Sequence, residues 1–186
     1  MNSLNYLPDT LTEFEIESLL KQPNLNCPTG FRNYTLINLI LNTGAKLAEI
    51  INLTWGKIDL KYNKIRFDSD KVIKHRNIII SQTISQILIT WRNKQIEEVG
   101  KANYVFTTLS NNPLSSRYIN IMLKRYADKA FIFKNVTAYT LRHTYGLKIY
   151  RQTNDLSTVK YALGITDNEY VKIYKKIAEK EDSIYY

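Results

Sequence analysis

Between Trp55 and Ser81 the hydrophobic pattern of the chain changes period. On either side, apolar residues recur three or four apart, as on one face of a helix. In between stand three short runs, Ile58-Asp59-Leu60, Lys64-Ile65-Arg66-Phe67 and Asn77-Ile78-Ile79-Ile80, rich in β-branched residues and separated by polar turns. Runs of this length make short strands, and their spacing suits an antiparallel meander. A chain that is helical before and after one small three-stranded antiparallel sheet belongs to a mainly α, α+β class.

The helical flanks carry their own punctuation. Thr12-x-x-Glu15 is a capping-box pattern that predicts a first helix to about Lys21. A second follows Pro28 and Gly30, runs to about Asn42 and ends at Thr43-Gly44. Leu47 to Leu53 reads as a short third helix. Ser81 caps a long one that Gly100 stops, with Ile84, Ile87, Leu88, Trp91 and Ile96 as its apolar face. Tyr104-Val105-Phe106 reads as a short extended segment, and Ser115 or Ser116 opens a further helix. Residues 140–151, 155–163 and 167–180 predict three more. No repeat, low-complexity tract or linker divides the chain. We therefore expect an arm over residues 1–10, one domain over 11–180 and a tail over 181–186.

Charge narrows the function. Lys and Arg number 26 against 17 Asp and Glu, a formal net charge of +9, which points to a polyanionic partner. The plainer reading is a solvated basic surface on a Lys/Asn/Ile-rich chain. Cys27 is the sole cysteine, so neither an intrachain disulfide nor a cysteine metal site can form, and two histidines make no His-rich site. No metal or cofactor is expected. No run approaches the ~20 apolar residues of a membrane span and no signal peptide is visible, so a cytoplasmic protein, nucleoid-associated if bacterial, is expected.

The segment with most chemical content is 137–174, TAYTLRHTYGLKIYRQTNDLSTVKYALGITDNEYVKIY. It places Arg142 near a helix start, a Leu163-Gly164 break, and then Tyr170 and Tyr174. A guanidinium grips a phosphate with parallel hydrogen bonds, and a tyrosine hydroxyl can attack one.

These residues resemble the tyrosine recombinases, the phage-integrase family. Leu141-Arg142-His143-Thr144, Leu163-Gly164 and Tyr174, nine positions after Ile165, look like the family's C-terminal signature. Thr43-Gly44-Ala45-Lys46-Leu47-Ala48-Glu49 is similar to its first arginine box, with Glu49 as the acidic residue. Lys71, followed by Arg76, looks like its β-hairpin lysine. Three positions depart from the pattern: Lys46 stands for the first arginine, Tyr139 for the His or Lys before Arg142, and Ile165 for the His or Trp after Leu-Gly. The family's separate N-terminal DNA-clamping domain is not expected here, since the match begins near residue 11.

The resemblance implies metal-independent transesterification of double-stranded DNA, in site-specific recombination or integration of the kind that mobile elements use. Tyr174 would form a 3′-phosphotyrosine intermediate, Arg142, Lys46 and Tyr139 would hold the phosphate, Glu49 would support them, and Lys71 would protonate the leaving 5′ oxygen. With one donor lost, one swapped and one weakened, slow turnover is expected. Tyr170 is out of the family's register, and His143 is read as a packed structural residue. The alternative is a catalytically weak or inactive homologue that serves as a DNA-binding or regulatory module. Lys74, His75, Arg76, Arg117, Lys124 and Arg125 are the candidate DNA contacts. Self-association on DNA, or pairing with an intact recombinase, is the expected assembly, because tails such as KKIAEKEDSIYY dock on neighbouring protomers in the family.

Overall fold

A computed structural model describes residues 7–68 and 75–183. In chain order the elements are α1 (Glu13–Leu20), α2 (Pro28–Thr43), α3 (Leu47–Ile51), a 3-10 turn at Trp55–Lys57, β1 (Ile58–Asp59), β2 (Lys64–Asp68), β3 (His75–Ile79), α4 (Gln82–Val99), α5 (Ser116–Lys129), α6 (Ala138–Thr153), α7 (Leu156–Leu163), α8 (Asn168–Val171) and α9 (Ile173–Asp182). The mainly helical reading with one small antiparallel sheet holds.

Helix α2 is the axis. Leu36, Ile37, Leu39 and Ile40 are fully buried on it, because α4 packs on one side and α6 on the other. Its stop is dictated by geometry. Gly44 closes it at φ +60°, and a Cβ there would lie 2.4 Å from both Leu163 and Tyr145 carbons. A helix end at this point lets α7 and the middle of α6 approach it. A second apolar cluster, including Tyr145, Val159, Leu163, Ile173, Tyr174 and Ile177, joins α6, α7, α8 and α9.

The sheet has order β1-β2-β3, all antiparallel, with Ile65 opposite Ile78 and Phe67 opposite Arg76. Strand alternation turns Ile65, Phe67, Arg76 and Ile78 inward and leaves Ile79 exposed.

Two expectations shift, those for residues 167–180 and for Ile96. Residues 167–180 form two helices, α8 and α9, separated at Lys172. The short extended segment expected at Tyr104 is held by an isolated bridge to Thr54. On α4 the fourth residue after Trp91, Gln95, takes the buried place and accepts a 2.8 Å bond from Trp55 Nε1, while Ile96 is half exposed. One bond joins the expected arm to the tail, Thr10 Oγ1 donating to Glu181 Oε1 at 2.8 Å, while Leu11 N donates to Thr144 Oγ1 on α6 at 2.9 Å.

Candidate active site

Arg142 lies in the second turn of α6, which Thr137 caps by accepting from Thr140 N. That start aims the guanidinium at the ends of two other helices. It is 9% exposed, donates through Nη1 to the Gly44 carbonyl beyond α2, and through Nη2 to the Leu163 carbonyl closing α7 at 2.7 Å. Helix C-termini present unpaired carbonyls and partial negative charge, so a cation fits there. Two of the five guanidinium N–H groups are used in this way. Burial lowers the Arg142 pKa.

A cavity of about 580 Å³ opens beside it, and Lys46, Tyr139, Arg142, Gly164, Ile165 and Tyr170 are among its lining residues. Lys46 precedes α3 and is exposed; its backbone N–H donates to Glu49 Oε2 at 2.6 Å.

Glu49 itself turns away from the cavity. It forms a two-pronged ion pair with Arg76, whose Nη2 lies 2.8 Å from Oε2, while Arg76 Nε donates to the Ala162 carbonyl at 3.1 Å. Arg76 is 2% exposed and its guanidinium lies 4.9 Å from the centre of the Phe67 ring, its cross-strand neighbour. This corrects the surface role expected of Arg76: it is an interior residue that ties α3 to β3 and α7. The carboxylate of Glu49 is thus taken by Arg76.

The tyrosines lie on a hydrogen-bonded line. Tyr174, at 0% exposure, places its hydroxyl 2.9 Å from His143 Nδ1, and its ring covers Gly146, where a Cβ would come within 2.4 Å of Cε1. On the far side of the imidazole, Nε2 is 3.3 Å from the Tyr170 hydroxyl, which is 2.5 Å from that of Tyr139. Tyr139 is 53% exposed and meets the His143 ring edge-on at 4.1 Å. Burial raises the pKa of both Tyr174 and Tyr170, the latter also through its bond to Tyr139. His143 is pushed down to about 4 by burial and then by the Arg142 charge. It is therefore a neutral imidazole at pH 7, with one ring nitrogen donating and the other accepting.

Thus Arg142, Lys46, Tyr139 and Tyr170 share one cavity, Tyr174 lies behind it, and Glu49 and Arg76 lie beneath. His75, Arg117, Lys124 and Arg125 are exposed, the last three on α5. Lys71 and Lys74 fall outside the described residues. His143, expected to be a packed residue, and Tyr170, out of the family's register, both join this line; the available signal was spacing on α6, where 139 and 143 lie one helical turn apart. Among the described residues no group of three or more His, Cys, Asp or Glu is placed to hold a metal ion, and no helix is long and apolar enough to cross a membrane.

The depressed His143 pKa predicts a pH dependence. Between about 6.5, the unfolded value, and about 4, the folded value, the unfolded chain binds the extra proton, so this contribution to stability is complete above the window and is lost as pH falls through it. Between neutral pH and about pH 4.5 the loss should be roughly 2 kcal/mol. Urea denaturation at both pH values, with His143→Asn alongside, checks it. An equal pH dependence in the variant would rule His143 out as its source.

The chain belongs to the phage integrase family, whose profile matches residues 9–181. The tyrosine recombinase XerD of Staphylococcus saprophyticus is 29% identical over 178 residues, covering 94% of this chain and 60% of that protein; XerD of Staphylococcus haemolyticus is 28% identical with the same coverage. The chain thus spans about 60% of the length of these relatives. Among solved structures, the XerH site-specific recombinase bound to palindromic difH substrate superposes with a TM-score of 0.82 at 24% identity, over 99% of this chain and 56% of that one. The catalytic domain of bacteriophage HP1 integrase gives 0.66 at 20% identity, over 91% and 88%. At these identities the superpositions establish the fold: a tyrosine-recombinase catalytic domain.

Proposed function

We propose that this chain binds double-stranded DNA and cuts and rejoins one strand in site-specific recombination or integration. The observation that carries the reading is the convergence of Arg142, Lys46 and Tyr139 on one cavity, with Tyr174 in the family's register behind it. A phosphate in that cavity meets two cations, and charge developing on its non-bridging oxygens is stabilised by them. The Tyr174 oxygen attacks phosphorus, the bond to the 5′ oxygen breaks, and that oxygen takes a proton, for which Lys71 is the proposed donor. The Tyr174 proton has a neutral acceptor in His143 Nδ1, 2.9 Å away. A 5′ hydroxyl reverses the step. As written, this chemistry uses side chains alone.

Two observations favour the second reading, a DNA-binding or regulatory module. Tyr174 is wholly buried and Ile165 offers no hydrogen bond. The two readings separate on a nicked suicide duplex carrying a matched site. A covalent protein–DNA adduct that survives denaturing electrophoresis is expected; with none on any site the chain binds, the module reading stands.

DNA contact is proposed through the exposed face of α5 and through His75. Affinity should fall with salt at a slope of about −0.9 per neutralised phosphate, and Arg117→Ala or Lys124→Ala should each reduce that slope by about 1. Salt-insensitive binding would remove this surface from consideration. For assembly on DNA we propose self-association or pairing with an intact recombinase. Since Ile177 and Ala178 of α9 are buried within their own chain, any exchange of α9 between copies requires it first to undock. Light scattering of the DNA complex tests the assembly; a strict monomer excludes self-association.

A further inference from the structure

The cavity has an apolar gap and, beside it, a hydroxyl without an assigned task. Ile165, five residues before Tyr170, is buried at the cavity wall and can donate nothing. Tyr170 enters the same cavity from α8, a single turn fastened by Asp167, whose carboxylate accepts from the backbone N–H groups of Glu169 and Tyr170, and by buried Val171. We propose, resting on the phosphate site argued above, that Tyr170 is a phosphate-binding residue which supplies the hydrogen bond that Ile165 cannot, with His143 as its positioning residue.

Hydrogen-bond direction supports this. Tyr174 has one hydroxyl hydrogen and His143 Nδ1 as its partner. If that hydrogen is given to Nδ1, a neutral His143 carries its own proton on Nε2 and donates it to the Tyr170 oxygen at 3.3 Å. The Tyr170 hydrogen is then available, and it meets the Tyr139 oxygen at 2.5 Å. Two hydroxyls that share one bond can turn both hydrogens toward an anion that enters between them. Arg142 adds its charge beside them; no proton need leave either phenol. The line also gives Tyr170 a different role from Tyr174: one grips the phosphate while the other waits to attack it.

The exchange of donors between positions 165 and 170 is the test. Tungstate, a tetrahedral oxyanion, serves as probe with the full chain, and calorimetry reads its affinity without any cleavage. Tyr170→Phe should weaken tungstate about tenfold, the worth of one hydrogen bond to a charged partner, and should slow adduct formation on the nicked duplex by about 10². Adding Ile165→His to that variant should restore most of both losses, which a purely structural role for Tyr170 would not allow. Ile165→His alone should change tungstate affinity less than twofold, because Tyr170 already fills the position. Wild-type affinity in Tyr170→Phe, or an equal gain from Ile165→His with and without Tyr170, overturns the inference. If the wild type forms no adduct while the tungstate pattern holds, strand cleavage is lost as a function and the anion role of Tyr170 remains.

Discussion

Tyr174→Phe is expected to abolish the covalent adduct on a nicked duplex, whereas DNA binding stays within about twofold, since a buried hydroxyl contributes none of the surface electrostatics that govern it. A ring without oxygen cannot serve as the proposed nucleophile, so the expected loss is one of chemistry. The same change removes a 2.9 Å bond to His143 Nδ1. One buried ring nitrogen left without a partner should cost about 1–3 kcal/mol of stability, which urea denaturation measures independently. The buried position of Tyr174 adds a requirement: its ring lies on Gly146 and its hydroxyl on His143, so attack needs α9 to shift the ring toward the cavity. The break at Lys172 between α8 and α9 falls two residues before this proposed nucleophile. Peptide mapping of the adduct distinguishes the tyrosines. An adduct that persists in Tyr174→Phe and maps to Tyr170 would overturn the assignment of the nucleophile.

Arg76→Ala should be the most destabilising single change outside the apolar core, by about 3–5 kcal/mol. Arg76 is 2% exposed, and its removal leaves the Glu49 carboxylate buried without its cation and the Ala162 carbonyl without a donor. Small domains hold only about 5–15 kcal/mol in total, so a large part of the folded margin is at stake. Replacing both partners by apolar residues, Arg76→Met with Glu49→Leu, should cost less than Arg76→Ala alone, because no charge is then left unpaired. Denaturant midpoints of the three proteins check this, and a loss under about 1 kcal/mol for Arg76→Ala would show that Glu49 finds water or another partner. Function should follow stability here. The pair fixes α3, and with it Lys46, against the end of α7 whose last carbonyl holds Arg142.

His143 connects these two predictions. It separates a nucleophile candidate from the solvent-facing tyrosines, and its low pKa keeps it neutral, so it can accept on one side while it donates on the other. A charged imidazole would have two donors and no acceptor. Burial beside Arg142 therefore keeps one donor and one acceptor on the ring, as the proposed line of hydrogen bonds requires.

The chain's periodicity and punctuation determined most of the fold. Thr12, Ser81, Ser115 and Thr137 each cap a helix with their own hydroxyl, and Gly44 and Gly164 close others at positive φ; such signals are local, and a helix end needs few distant contacts to satisfy it. The order of Lys46, Arg142 and Tyr174 along the chain was likewise legible, because a family pattern resides in spacing. What spacing could not state was which way each side chain faces. Arg76 and Ile78 share a face through strand alternation, so one pairing register turns a cation that reads as surface into a buried partner of Glu49, 27 residues away. The break at Lys172 likewise escaped a pattern that runs on through 167–180. The burial of Tyr174 follows from Gly146, which lets α9 approach α6 closely enough to cover the ring. Only the packing of α6 through α9 decided that Tyr170 would face the cavity and Tyr174 would wait behind His143, since that outcome depends on the distance between helices and no single segment contains it.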